Sequence, residues 1–397
     1  MKQPILKVAI SDQLFGQRSA VPNQSVRHST DLKQESFNET PFGNQCFYRL
    51  NGNIDYKDFD LILEYCFRPS SMSNPPSLDT FDPMLEHSRR REAVEENCLS
   101  VPHFSKMTQQ QLIREYFLTY TGAHLLDTMV GENWIFPKTI ALSYTKDHVE
   151  WNGFEGTDKP VILKPEFGST GVGIHYFKDG INLDQLKSFM CVLGSKLPDS
   201  TKTEQVRELL IAMGLPIPGW LNRKDSVQLS DSHFTYGGAY KYMVVQEKLD
   251  IVEEYRLILT HGGMILLDRA IEDDGALPMG NEYGERSYIA IVREDHSQHH
   301  LWGDVKQFPY WVISMSLVLK DMLRISPILS FDLFKTRDGK VGVLEFQPEY
   351  SLSGSGIPNQ VIQWFYYAMA YHTKERLNWV KTNYDLNLKP LLEENHE

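Results

Sequence analysis

The sequence predicts a soluble, mixed α/β protein, and three observations carry that expectation. Short apolar runs of strand type recur between segments with helical spacing. Hydrophobic residues make up 41% and charged residues 23% of 397 residues, a globular balance at a length that suits two or three domains. No run approaches the roughly eighteen apolar residues that a membrane span needs, and Asp12 arrives before any signal-peptide core develops. A formal net charge of −12 excludes a nucleic-acid binder that relies on a general basic surface. Cys46, Cys66, Cys98 and Cys191 show no C-x-x-C spacing, which suits a reducing cytoplasm and argues against a disulfide scaffold or zinc ribbon.

Residues 1–100 read as an amino-terminal α/β domain. Leu6–Ile10 and Asp60–Cys66 are its strands, and the polar stretch Gln17–Asn44 between them reads as a long surface loop. Proline and serine mark Pro69–Pro83 as a connection, after which Asp82–Cys98 has helical character and carries Arg89, Arg90 and Arg91, read as a solvated face or as a phosphate or carboxylate contact at the cleft. Ser105 can cap a helix through Gln109, Leu112, Ile113 and Phe117, with Gly122 as its stop. Trp134–Leu142 reads as one strand, and Val161–Lys164 as a buried strand ending in lysine and closed by proline. Asn182 caps the next helix, and Thr201-Lys202-Thr203-Glu204 fits a capping box for another that ends at Gly214.

Residues 215–240 form an irregular insert. Met243–Gln246 is a strand, and Tyr255–Leu259 turns through His261-Gly262-Gly263 into Met264–Asp268. His296, His299 and His300 read as an exposed histidine-rich loop. Phe331–Lys335 and Val341–Phe346 form a hairpin across Arg337-Asp338-Gly339-Lys340, because Asp-Gly tolerates positive φ. Pro358–Thr382 is a long amphipathic helix with Val361, Ile362, Phe365 and Met369 on one side.

The segment richest in chemistry is Lys164-Pro165-Glu166-Phe167-Gly168-Ser169-Thr170-Gly171-Val172-Gly173-Ile174. Glycines let backbone N–H groups approach an anion closely and lysine neutralises it, so phosphate is the natural ligand. The spacing matches neither G-x-x-x-x-G-K-[ST] nor G-x-G-x-x-G, which removes the P-loop and the dinucleotide fingerprint. Further along, Val244–Leu249 is an apolar strand running into polar groups, a hinge able to offer backbone amides to an adenine edge. In Glu253-Glu254-Tyr255-Arg256, Glu254 and Arg256 share one side of a strand. The last hairpin can bring Asp332, Glu345 and Gln347 together as oxygen donors for a hard cation held with nucleotide phosphates.

Taken in this order, the motifs resemble the ATP-grasp superfamily over roughly residues 101–360. The resemblance implies two α+β subdomains clasping ATP, 101–249 with the glycine-rich loop and 250–397 with the metal hairpin, after a pre-ATP-grasp-like domain. It implies that Lys164 contacts the α/β-phosphates, that Lys106 is the first phosphate-binding lysine, and that Gly168, Ser169, Gly171 and Gly173 form a lid. Gln246, Glu247 and the backbone of Leu249 would hold adenine. Glu254 would bind ribose, with Glu253 as the alternative. Arg256 and Arg269 would touch phosphate or acyl-phosphate oxygen, a structural salt bridge being the other reading of each. The family's hairpin reads Glu-x-Asn; Gln347 departs from it, and Glu349 is a substitute ligand or, with Ser353 and Gly354, the start of the substrate pocket.

The activity so implied is ATP-dependent ligation of a small-molecule carboxylate to an amine, with amino acids or small peptides as the default. Mg²⁺, replaceable by Mn²⁺, would be held by Asp332, Glu345 and Gln347. The competing readings are a phosphotransferase on a small molecule and a non-catalytic nucleotide-binding module. Neither nucleic acid nor membrane is expected as a partner, and the oligomeric state is left open.

Overall fold

The computed structural model describes residues 5–11, 26–28, 38–40, 42–50, 59–65, 98–101, 106–118, 124, 133–145, 148–150, 154–165, 174–193, 199–215, 217, 242–269, 283–292, 298–302, 308–324, 328–347 and 359–383. They form three principal β-sheets with helices packed on them. No helix among them is long and apolar enough to cross a membrane.

The first sheet holds β1 (Ile5–Ser11), β2 (Val26–His28), β3 (Asn38–Thr40), β4 (Gly43–Leu50), β5 (Leu61–Tyr65) and β6 (Cys98–Val101) in the order β2-β4-β1-β5-β6, with β3 on β4. All its pairings are parallel except β3 with β4. The expected surface loop over 17–44 is therefore corrected: it contributes β2, β3 and the start of β4. From this stretch β4 runs on and buries Gln45, Cys46, Phe47 and Tyr48 in succession. Gln45 is accommodated by donating from Nε2 to the Tyr367 carbonyl at 3.0 Å. Cys98 opens a strand instead of ending a helix; the rest of the expected helix over 82–98, including Arg89–Arg91, lies outside the described residues.

Helix α1 (Lys106–Leu118) follows and ends at Leu118, short of Gly122. The second sheet is antiparallel, with β7 (Thr139–Thr145), β8 (His148–Glu150), β10 (Val161–Pro165), β11 (His175–Phe177) and β13 (Tyr242–Glu247) in the order β11-β10-β13-β7-β8. A separate small ribbon pairs β9 (Gly156–Thr157) with β12 (Ile181–Asn182). The run expected as one strand from Trp134 splits at Pro137, which has no N–H to give a ladder, and β7 starts two residues later. The preceding segment serves the third sheet instead: Ile135 N–H donates to Val341 O at 2.8 Å and Val341 N–H to Asn133 O at 2.7 Å.

Helices α2 (Leu183–Leu193) and α3 (Asp199–Ala212) cover one face of this sheet, burying Leu186, Phe189, Met190, Val206 and Leu210 against Leu142, Val161, Leu163, Met243 and Val245. Asn182 caps α2 as expected: its Oδ1 accepts from Gln185 N–H at 2.9 Å, and Gln185 Oε1 accepts from Asn182 N–H at 3.0 Å. Helix α3 begins before Thr201, so the expected capping box falls inside it. Its end is as expected, with Gly214 N–H bonded to Ile211 O and Leu215 N–H to Leu210 O. Of the insert over 215–240, only 215 and 217 lie within the described residues.

The third sheet is antiparallel throughout, with β14 (Ile251–Thr260), β15 (Gly263–Arg269), β16 (Tyr283–Val292), β17 (Gln298–Trp302), β18 (Ile328–Thr336) and β19 (Val341–Gln347) in the order β17-β16-β15-β14-β18-β19. His299 and His300 thus sit in a strand, not a loop, while His296 lies outside the described residues. Strict alternation gives β14 and β18 two unlike faces. Tyr255, Leu257, Leu259, Leu329, Phe331 and Leu333 join the core under helix α4 (Tyr310–Leu319) and α1. Glu254, Arg256 and Asp332 take the other face. Gly339, at φ 85°, makes the tight β18–β19 turn. The last helix, α5 (Asn359–Asn383), buries Phe365 and Met369 as expected. It passes so close to the β14–β15 turn that a Cβ on Gly262 would lie 2.6 Å from the Ala368 backbone.

Candidate functional site

Lys164 follows from the alternation of β10. Val161 and Leu163 point into the helix-covered core, so Ile162 and Lys164 take the opposite face, shared with Val244, Gln246 and Thr139 across the sheet. The lysine is buried, 9% exposed, and its Nζ donates to Gln246 Oε1 at 2.8 Å. Gln246 Nε2 in turn donates to Thr139 Oγ1 at 3.0 Å, and Thr139 Oγ1 to the Pro137 carbonyl at 3.0 Å. This chain fixes the ammonium's position through neutral partners. Burial holds Lys164 below the ordinary lysine range; Glu345 opposes that, the charge of Lys106 reinforces it, and Glu254 and Asp332 oppose it. The field at one ammonium therefore joins groups from β10, α1, β14, β18 and β19.

The acidic side is built by three strands. Asp332 on β18 faces Arg256 on β14 and Glu345 on β19 in register. Arg256 grips Asp332 with both arms, Nε to Oδ1 at 2.7 Å and Nη2 to Oδ2 at 2.8 Å. Asp332 pairs with Glu345 but Leu333 with Val343, so Leu344 is the extra residue of a β-bulge. Glu345 Oε2 lies 3.9 Å from Nζ of Lys106, at the first residue of α1. Two further α1 residues bond the same stretch of β19: Gln109 Oε1 accepts from Phe346 N–H at 3.2 Å, and Gln110 Nε2 donates to the Leu344 carbonyl.

Of Glu253 and Glu254, it is Glu254 that shares the face of Arg256, by alternation along a stretch of β14 that pairs with β18 without a register shift. Glu254 is 8% exposed and within the field of Lys164. Glu253 is held on the other side, with Oε1 accepting from Lys335 Nζ at 2.9 Å and Oε2 from Trp311 Nε1 at 3.2 Å. In the hinge, Glu247 N–H donates to Lys138 O at 2.9 Å and its Oε1 accepts from Lys138 N–H at 3.1 Å, tying the end of β13 to the segment before β7. Lys248 N–H donates to Pro160 O, and Leu249 stands half-buried in the short link to β14.

Lys248 was not foreseen from the sequence; burial lowers its pKa, with Glu254 and Asp250 opposing. Arg269 ends β15 in register with Glu254, and Gln347 ends β19 in register with Ser330. Gly168, Ser169, Gly171 and Gly173 lie outside the described residues, as do Glu349, Ser353 and Gly354. The structure thus brings together Lys106, Lys164, Gln246, Glu254, Arg256, Asp332 and Glu345. Gln109 and Gln110 also escaped sequence reasoning. Their signal was present: at three and four residues beyond Lys106 they share a helical stripe with Ile113, where exposed polar residues do not belong.

No group of three or more His, Cys, Asp or Glu among the described residues could hold a metal ion by itself. Two opposed carboxylates nevertheless fit a Mg²⁺ that arrives on phosphate, because that ion is usually held by one or two carboxylates plus phosphate and water oxygens. The Arg256 clasp is compatible with this, since each Asp332 oxygen keeps a second lone pair.

No protein-family model matches the chain, and no curated protein matches it. Solved structures resemble it in overall arrangement. D-alanine–D-alanine ligase from Bacillus anthracis, complexed with ATP, is 12% identical over 94% of this chain and 99% of that one, with a TM-score of 0.37. L-amino acid ligase from Bacillus licheniformis is 12% identical over 92% and 74%, at a TM-score of 0.38. A Chryseobacterium gregarium RiPP-associated ATP-grasp ligase, in complex with ADP and a leader and core peptide, is 10% identical over 92% and 95%, at 0.37. Likenesses this distant assign no activity.

Proposed function

We propose that the protein is an ATP-dependent carboxylate–amine ligase of the ATP-grasp type, working in the cytoplasm on amino acids or small peptides. The observation that carries the reading is the convergence on Lys164. A buried ammonium with a neutral hydrogen-bond partner stands in the field of Lys106, Glu345, Glu254 and Asp332, contributed by separate elements. Cations beside a carboxylate pair suit a nucleotide that brings both phosphate charge and a divalent ion.

In this reading Lys164 and Lys106 neutralise the phosphates, Glu254 receives the ribose, and the hinge at Gln246–Leu249 borders the base. Residues 101–249 and 250–397 are the two ATP-clasping parts, and 1–100 precede them. Asp332 and Glu345 hold Mg²⁺, with Gln347 at the end of the same strand; the ion when bound supplies charge neutralisation at the β- and γ-phosphates. Arg256 holds Asp332 in place, which leaves Arg269 as the arginine for the acyl-phosphate oxygens. The substrate carboxylate attacks the γ-phosphorus and ADP departs. The amine then attacks the carbonyl carbon, the amide bond forms, and phosphate and a proton leave. Positioning and charge stabilisation suffice, with no nucleophilic side chain.

ADP release, followed across amino-acid pairs with product mass spectrometry, tests this. The expected result is ADP and phosphate in equal amounts only when carboxylate, amine, ATP and Mg²⁺ are all present. Glu345→Ala should lower turnover by at least about a hundredfold. A phosphorylated alcohol formed without any amine would make the protein a phosphotransferase instead. Wild-type turnover in Glu345→Ala would discard the metal assignment.

A further inference from the structure

Among the described residues Glu345 sits on the last strand of its sheet; the 133–135 segment bonds the start of that strand at Val341, and no further strand flanks it at Glu345. The peptide groups on either side of it are bonded by one helix. Gln109 accepts from the N–H of Phe346 and Gln110 donates to the carbonyl of Leu344, so one amide takes the residue after Glu345 and the other the bulge residue before it. Both glutamines are buried, 2% and 8% exposed, and both lie one turn from Lys106, whose ammonium approaches the Glu345 carboxylate. A bulge re-aims a side chain, and one at a sheet edge is free to slip or straighten unless its polar groups are held. Straightening this one would shift Glu345 by one residue and turn its carboxylate to the opposite face, toward Leu329, Phe331 and Leu333.

We infer that Gln109 and Gln110 are positioning residues for the cation site. They act as a surrogate edge strand that locks the Leu344 bulge, so that Glu345 faces Asp332 and moves as one body with Lys106. This rests on the nucleotide–metal reading above. Further along the same stripe Ile113 and Phe117 are fully apolar and packed in the core, so the helix docks without the amides. Their chemistry is needed only where Glu345 must be aimed.

The test measures ADP affinity by isothermal calorimetry in EDTA and again with Mn²⁺, for wild type, Gln109→Met and Gln110→Met. Methionine keeps length and volume but cannot make either hydrogen bond. Mn²⁺ should strengthen ADP binding in the wild type, and each substitution should cut that gain by roughly tenfold while leaving affinity in EDTA unchanged. Bound Mn²⁺, counted by electron paramagnetic resonance, should weaken in parallel. An unchanged Mn²⁺ gain overturns the inference, and so does an equal loss with and without metal, which is the mark of a merely structural role. Should a methionine variant fail to fold, Gln109→Asn and Gln110→Asn keep the amide but lose its reach, and the same loss of gain is expected. If wild type binds no ADP in either condition, the nucleotide reading falls and this inference falls with it. Wild-type ADP binding that Mn²⁺ strengthens, with variants that keep the whole of that gain, refutes the inference alone.

Discussion

The second and third sheets bury charge in opposite ways. In the second, basic groups sit under cover beside neutral neighbours: Lys164 donates to the Gln246 amide oxygen, and His175 packs beside Phe189 at 5.1 Å between ring centroids. Burial lowers the pKa of both, His175 to about 3. The third sheet carries made pairs, Arg256 with the buried Asp332 and the half-exposed Lys335 with Glu253. The lesson is about readiness. A charge in a made ion pair is already committed, whereas a buried ammonium hydrogen-bonded to a neutral amide gains most from an incoming anion.

The sharpest way to break the contrast is to remove one member of the Arg256–Asp332 pair. Asp332→Ala should destabilise the protein by about 3–5 kcal/mol in urea unfolding, because a largely buried guanidinium is left without its carboxylate. Arg256→Met combined with it should recover most of that loss. A double variant as unstable as the single one would mean that the pair is not what holds these strands.

Acid should act next, on the second sheet. A histidine whose folded pKa lies at about 3, below the unfolded value near 6.5, keeps the folded state fully stable above pH 6.5 and withdraws stability as pH falls toward 3. The expected slope is about 1.4 kcal/mol per pH unit from this group, seen in urea titrations between pH 6 and 4. His175→Phe should flatten it. His261, pushed down to about 4 by burial and then by Arg376, Lys320 and His372, adds a component of the same sign that His175→Phe leaves in place.

The smallest stability effect belongs to the residue with the largest expected functional one. Lys164→Met relieves a buried ammonium but leaves Gln246 Oε1 without its donor, so the net change should stay within about 1 kcal/mol. ATP affinity, measured by calorimetry on the same sample, should fall by about a hundredfold or more. A Lys164→Met protein that binds ATP as the wild type does would remove the reason for treating this lysine differently from Arg256.

What could be read directly were the residues whose neighbours in sequence are also their neighbours in space. The lysine at the end of β10, the Asp-Gly turn that joins the strands of Asp332 and Glu345, and the Asn182 cap all depend on local spacing. The fold class followed from the same signals. Errors fell where pairing came from afar. Strands β2 and β3 were hidden in a polar stretch because each is only three residues long and is set by its pairing with β4. That Lys335 and Trp311 hold Glu253 could not be read from β14 alone.

Taken alone, the sequence determined which chemical groups exist and on which strand ends and turns they fall, because propensity, capping and side-chain period act within a few residues. Only the tertiary structure decided that Arg256 clasps Asp332, that Glu254 and not Glu253 turns toward Lys164, and that two glutamines of α1 hold the bulge before Glu345. Those outcomes hang on strand register and on the docking of a helix against a sheet edge. Both are settled by burying apolar area across the whole chain, a quantity that no short stretch of residues contains.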